Sequence, residues 1–264
     1  MDDAAEFLPG DRPGSFVLRM SGMDQSHVDL DDPTRIAFDY VRRIADVLDA
    51  CAAPGEPVRV VHVGGAAMTL PRYVAATRPR SSQVVLEPAA AVTDLVRADL
   101  PLPPRSGIKV RPVDGRTGVA ALRDGYAGVL VVDAFADARV PAELVTADFL
   151  ADAARVLEPG GLLVLNLTDR APFGWSRRVV AGVRQRLPEL LLTAEAATLR
   201  GRRPGNLVLV ASDGAVPLAP LRERAASAAA PYRVLDGGQV SDALGGGRPF
   251  TAADAEPSPP PDRR

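Results

Sequence analysis

The chain of 264 residues is 47% hydrophobic and 24% charged, enough to bury a substantial core as one domain with at most a small appendage. Its 31 basic side chains are nearly balanced by 33 acidic ones. The net charge of -2 gives no global field for a phosphate polymer or an anionic membrane, so neither nucleic acid nor membrane is expected as a partner. A single cysteine, Cys51, with two histidines excludes an intramolecular disulfide and argues against a structural zinc site; no metal is expected.

The opening MDDAAEFLPG is acidic and lacks the basic flank and apolar run of a secretory signal. No window reaches the roughly 20 apolar residues that span a bilayer, and a cytoplasmic location is expected. Residues 1–30 contain the short apolar piece Ser15 to Met20, followed by Ser21-Gly22, and predict a small β hairpin unit. Residues 31–57 predict a linking helix. Asp32 can cap it, Pro33 suits its first turn, and Ile36, Tyr40, Ile44, Val47 and Leu48 recur at helical spacing.

Residues 58–213 alternate short β-branched runs with amphipathic stretches, the pattern of a parallel sheet built from strand-helix-strand crossovers. Strands are predicted at Val58 to Val63, Gln83 to Glu87, Ile108 to Arg111, Gly128 to Asp133, Gly161 to Leu167, Leu190 to Leu199 and Asn206 to Ala211. Helices are predicted at Thr69 to Thr77, Ala89 to Ala98, Thr117 to Leu122, Thr146 to Leu157 and Ser176 to Arg186. The last two strands have no helix between them and predict an antiparallel edge hairpin. The fold expected is therefore α/β, a Rossmann-like seven-stranded sheet of the methyltransferase type with a small N-terminal β unit. Residues 214–244 form a weakly patterned extension. Residues 245–264, rich in Gly, Pro and charge, predict a disordered tail.

Ligands of an open parallel sheet bind beyond the carboxyl ends of its strands, near the point where strand order reverses. The first strand runs into Gly64-Gly65-Ala66-Ala67, where small residues let the backbone approach a bulky ligand. The full G-x-G-x-x-G spacing is absent, so an ordinary tight turn fits equally well. Glu87 closes the second strand, 23 residues beyond Gly64, near the distance at which an acid accepts from ribose hydroxyls. Asp114-Gly115 follows the third strand; the aspartate can accept from an adenine amine or simply cap a helix. Asp133 closes the predicted central strand and can anchor and deprotonate an amine, or cap the next loop. Jointly, Gly64-Gly65, Glu87, Asp114 and Asp133 fall on one rim.

Other residues read as structural. His62 lies inside a strand, His27 nearer the site; Phe173 and Trp175 suit packing better than a lid. Arg200, Arg202 and Arg203 suit a solvated turn, and Cys51 has no activating neighbour.

From Phe16 to Ser212 the chain resembles the spermidine synthase family, within the Rossmann-like S-adenosylmethionine-dependent transferases. Met20-Ser21-Gly22-Met23-Asp24-Gln25 resembles the family's L-D-G-x-x-Q segment. Glu87 matches its ribose acid, Asp114-Gly115 its adenine-side D-G, and Asp133 the first aspartate of its D-[ST]-x-D-P loop. Leu157-Glu158-Pro159-Gly160-Gly161 is similar to a turn shared with many methyltransferases. Two departures stand out: Ala66-Ala67 replaces the acid of the family's G-G-G-D-G loop, and the second aspartate, Asp137, comes one position late and is followed by Ala138. The resemblance implies an aminopropyl transfer of polyamine biosynthesis, from decarboxylated S-adenosylmethionine to an amine. Gly64, Gly65, Glu87, Asp114 and Gly115 would bind the donor, Gln25 and Asp137 the acceptor, and Asp133 would be catalytic, in a homodimer. Methyl transfer from S-adenosylmethionine to another small nucleophile, or a catalytically silent nucleoside-binding member, are the alternatives.

Overall fold

The computed structural model describes residues 5–20 and 22–261; Ser21 of the L-D-G-x-x-Q-like segment lies outside them. The N-terminal unit holds three strands rather than a hairpin: β1 (Glu6–Pro9), β2 (Ser15–Met20) and β3 (Met23–Asp29), antiparallel in that order. The added strand is Glu6–Pro9, whose Phe7, together with the preceding Ala5, packs with Leu18 and Val28 against Met68 and Val92. This small sheet therefore lies over the glycine loop of the main domain.

Helix α1 (Asp39–Ala50) starts later than Asp32 and Pro33 suggest. The Asp32 carboxylate instead accepts from the Thr34 N–H at 3.0 Å, a local turn that competes with helix capping, and Asp29 accepts from the Asp31 and Asp32 N–H groups. Residues 34–38 consequently run outside the helix and reach the cavity described below.

The main sheet then builds through β4 (Arg59–Val63), α2 (Thr69–Thr77), β5 (Ser82–Leu86), α3 (Ala90–Asp99), β6 (Ile108–Arg111), α4 (Gly115–Ala120) and β7 (Ala127–Val132). It continues with α5 (Ala147–Val156), β8 (Leu157–Asp169), α6 (Gly174–Val183) and β9 (Glu189–Ala194). Next come α7 (Ala196–Leu199), β10 (Gly205–Ser212), α8 (Leu218–Ser227), β11 (Arg233–Asp236) and α9 (Gly237–Leu244). All seven predicted strands are present, and β11 adds an eighth, giving the order β11-β9-β10-β8-β7-β4-β5-β6.

Strands β4 to β8 are parallel to one another, while β10 pairs antiparallel with both β8 and β9, and β11 antiparallel with β9. The expected edge hairpin forms, but its first strand stops at Ala194 and a single helical turn, α7, intervenes. Ala196-Ala197 favours helix over strand, and an ion pair from Arg203 to Glu195 closes the turn. The strand order reverses between β4 and β7, which fixes the switch point at the ends of those two strands.

The expectation of a disordered tail is overturned for the described residues. Phe250 is fully buried, and its carbonyl accepts from the Ala147 N–H at 2.8 Å. Its ring packs 6.1 Å from Trp175 and lies under the Arg178 guanidinium. Ser258 is also fully buried; its hydroxyl accepts from the Val140 N–H at 2.9 Å and its own N–H donates to the Val140 carbonyl at 3.1 Å. Two well-placed side chains thus hold a stretch whose average composition signals nothing to bury, and they tie it to the loop that follows β7.

Candidate active site

A cavity of about 460 Å³ opens at the switch point. All of the predicted site residues line it: Gly64, Gly65, Glu87, Asp114, Gly115 and Asp133 on the sheet rim, Gln25 on β3, and Asp137 beyond β7.

Gly64 has φ +89°, and a Cβ there would collide with the backbone carbonyl of Asp133. Only glycine accommodates both demands, so β4 and β7 approach closely where the site is built. Ala66 and Met68 also adopt left-handed backbone, at φ 41° and 64°, strain of the kind that collects at ligand-binding loops. The carboxylate of Glu87 holds this loop. Its Oε2 accepts from the N–H groups of Gly65 at 2.9 Å and Ala66 at 3.3 Å, and its Oε1 accepts from Ala89 at 2.9 Å. A carboxylate has about four lone-pair sites, so Glu87 is first of all a brace, with little acceptor capacity to spare.

Asp114 caps α4, its Oδ1 accepting from the Thr117 N–H at 2.8 Å; this bond favours the ionised form and lowers its pKa. Both readings of Asp114 given by the sequence are thus compatible, the cap using one oxygen at the edge of the cavity. Asp137 sits on the exposed rim in a tight turn, in which Ala136 and Arg139 exchange two backbone hydrogen bonds, of 2.9 and 3.0 Å. The two central residues, Asp137 and Ala138, have φ 50° and 58°, the pattern of a type I′ turn.

Asp133 is the most perturbed acid of the cavity. Its N–H continues the β7 ladder to the Val63 carbonyl at 3.0 Å. Burial pushes its pKa up to about 6, against the opposing hydrogen bond from Asn166. Asn166, buried on β8, donates through Nδ2 to Asp133 Oδ1 at 2.8 Å and accepts at Oδ1 from Asn206 Nδ2 at 3.0 Å. This pair of amides fixes one carboxylate oxygen and leaves the other for a ligand. A group poised near 6 is ionised at neutral pH yet basic enough to take a proton. Replacing Asn166 by Leu removes the stabilising donor, so the acidic limb of the kcat/KM profile should move to higher pH, with thermal unfolding monitored in parallel. A limb that stays where it is in the wild type would contradict the role given to the amide.

Two residues were missed by sequence reasoning. Tyr40 packs against the core as its place in the α1 stripe predicts, and it also lines the cavity, stacked against Phe38 with ring centroids 6.1 Å apart. Burial first, then the charge of Asp133, pushes its hydroxyl pKa well above the ordinary value, so it stays protonated. Asn166 carried one signal, a lone amide in the apolar run Leu163 to Leu167. His62 is a core side chain: Nε2 meets Gln83 Oε1 at 2.9 Å, and burial depresses its pKa to about 4, so the ring is neutral. Trp175 and Phe173 are buried, not a lid.

No family model matches the chain. A curated relative, the polyamine aminopropyltransferase of Chromobacterium violaceum, is 27% identical over 143 residues, covering 54% of this chain and 53% of the relative. The chain thus matches about half the length of that relative. A probable spermidine synthase from Corynebacterium glutamicum superposes with a TM-score of 0.87 at 26% identity, over 94% of this chain and 92% of the other. Spermidine synthase from Thermotoga maritima has the same fold, with a TM-score of 0.58 at 16% identity over 87% and 76% of the two chains. Over nearly its full length the chain is thus similar to a probable spermidine synthase, and over about half its length to a polyamine aminopropyltransferase, on a Rossmann-like fold.

Proposed function

We propose that the protein transfers an aminopropyl group from decarboxylated S-adenosylmethionine to a small amine. One observation carries this reading: the residues lining the cavity include the carboxylates Glu87, Asp114, Asp133, Asp137 and Glu143, and no Arg or Lys among the described residues. A decarboxylated donor brings only positive charge, from its sulfonium and its amine, and suits such walls. The intact donor adds a carboxylate, which would enter a field of like charge with no cation to receive it.

The donor supplies a carbon made electrophilic by the neighbouring sulfonium. In this reading the Gly64-Gly65 loop and Gly115 give the adenosyl moiety room, and Glu87 offers the ribose its remaining acceptor capacity. Asp114 offers the adenine amine its second oxygen. Asp133 binds the acceptor ammonium and takes its proton. The freed nitrogen lone pair forms the new C–N bond as the C–S bond breaks onto sulfur, leaving a neutral thioether and a lengthened amine. Alignment of nitrogen and leaving group supplies much of the acceleration. Gln25 borders the path of the acceptor, and Asp137 stands at the exposed rim of the cavity. The reading includes a homodimer, as the family resemblance implies. Among the described residues no helix is long and apolar enough to cross a membrane.

Calorimetric titration tests the central point. Decarboxylated S-adenosylmethionine should bind at least about tenfold more tightly than the intact compound, a difference of about 1.4 kcal/mol. Tighter binding of the intact compound would favour methyl transfer instead.

A further inference from the structure

Alternation along β7 and β8 decides which way the Asp133 side chain faces. Val129 and Val131 of β7 and Val164 of β8 belong to the core layer beneath α1 and α2, whereas Leu130, Val132 and Leu165 belong to the opposite layer. Asp133 and Asn166 continue the first set by strand parity, and their mutual hydrogen bond confirms that they share a face. The space beside Asp133 is therefore walled by the α1 and α2 side of the cavity. Its lining there includes Ile36, Phe38, Tyr40, Val41 and Leu70, with the neutral ring of His62 at the base.

Besides Asp133, the lining carboxylate that strand parity sends to this face is Glu87 at the end of β5, and its oxygens already accept from the N–H groups of Gly65, Ala66 and Ala89. Asp24, the acid nearest Gln25 in sequence, is outside the lining and pairs with Arg19 at 2.7 Å. Asp137 and Glu143 are exposed and belong to the segment after β7, which packs through Phe135 and Leu144 into the opposite core layer. The small residues Ala66 and Ala67 supply no charge at the glycine loop. An amine seated on Asp133 thus extends along an apolar and aromatic wall, where a second ammonium loses its hydration and meets no carboxylate other than the already committed Glu87.

Resting on the aminopropyl-transfer reading, we infer that the acceptor is a monoamine, with one ammonium at Asp133 and an uncharged, largely apolar body lying against Ile36, Phe38, Tyr40 and Leu70. The site would then select against the di- and triamines that a series of spaced carboxylates would hold.

The test compares n-pentylamine with 1,5-diaminopentane, acceptors with the same five-carbon chain that differ by one terminal ammonium, using the full chain and decarboxylated S-adenosylmethionine. The monoamine should show a kcat/KM at least about tenfold higher, mainly through KM, since an unpaired buried charge is costly. Equal or better use of the diamine would overturn the inference. A second arm places an acid on the wall. Ile36→Asp, at a half-buried position outside the helix, should move the ratio of the two kcat/KM values toward the diamine by about tenfold, with donor binding by calorimetry as the control for folding. An unmoved ratio in a variant that still binds donor also overturns it. Failure of the wild type to bind the donor, or binding without transfer to either amine, would instead defeat the transfer reading on which the inference rests. Donor binding with diamine preference defeats the inference alone.

Discussion

Replacing Asp133 by Asn should abolish most transfer while leaving the donor bound. The amide keeps the size of the side chain, but it can neither hold an ammonium by charge nor accept its proton. Loss of a positioned general base costs about 10²- to 10⁴-fold in rate, so kcat/KM for the amine should fall by that order. Calorimetric affinity for decarboxylated S-adenosylmethionine should change far less, because the adenosyl end is held by other strand ends. In the wild type, activity should decline as the pH falls through about 6, where the carboxylate takes up a proton. The same group bears on stability with the opposite preference. Its pKa is raised from the ordinary carboxylate value of 3.8 to about 6 by burial, so between those values the folded state binds more protons than the unfolded state. Its contribution to stability therefore decreases as pH rises through that window. Asp133→Asn should accordingly melt at a higher temperature than the wild type at pH 8, with the gap closing toward pH 4. Unchanged turnover, or a variant less stable at pH 8, would remove Asp133 from the role assigned.

The second large effect is expected far from the chemistry. Phe250→Ala should destabilise the protein by about 3–5 kcal/mol, the cost of emptying a fully buried aromatic site. Phe250 lies within the main core, beside Trp175 and against α5 through the Ala147 N–H. Denaturant unfolding should show a lower midpoint with an unchanged slope. A loss below about 0.5 kcal/mol, typical of solvent-facing positions, would mean that the C-terminal strap is only loosely attached. The strap also reaches the site. Arg139 donates to the carbonyls of Pro257 and Ser258, and Ser258 exchanges hydrogen bonds with Val140, so the loop carrying Asp137 is held from a segment over a hundred residues away.

The parallel half of the sheet was readable because apolar β-branched runs such as Val129 to Val132 are bounded by acids and glycines, and strand parity then sends those acids to one rim. Glu87, Asp114 and Asp133 are legible for that reason. What escaped has a common cause: the decisive contact is long-range and involves one side chain. Periodicity in residues 36–48 fits a helix, yet the Asx-type turn at Asp32 leaves residues 36–38 outside it to line the cavity, and Tyr40 in the first turn of α1 serves both core and site. The strap is polar on average, and nothing local marks Phe250 or Ser258 as buried. β11 is four residues long and follows an alanine-rich stretch, so only its pairing with β9 identifies it. The brace formed by Glu87 was equally hidden, since a carboxylate that serves a ligand and one that serves its own backbone read alike in sequence.

The two outermost strands of the large sheet have a consequence for behaviour at high concentration. β11 and β6 are each only four residues long, and each carries charged side chains, Arg233 and Asp236 on one, Lys109 and Arg111 on the other. Short, charged borders offer little unpaired backbone for another molecule to extend. The wide apolar interior between them is thereby shielded from lateral sheet growth, and storage or overexpression should not produce fibrils or amorphous precipitate seeded from either border.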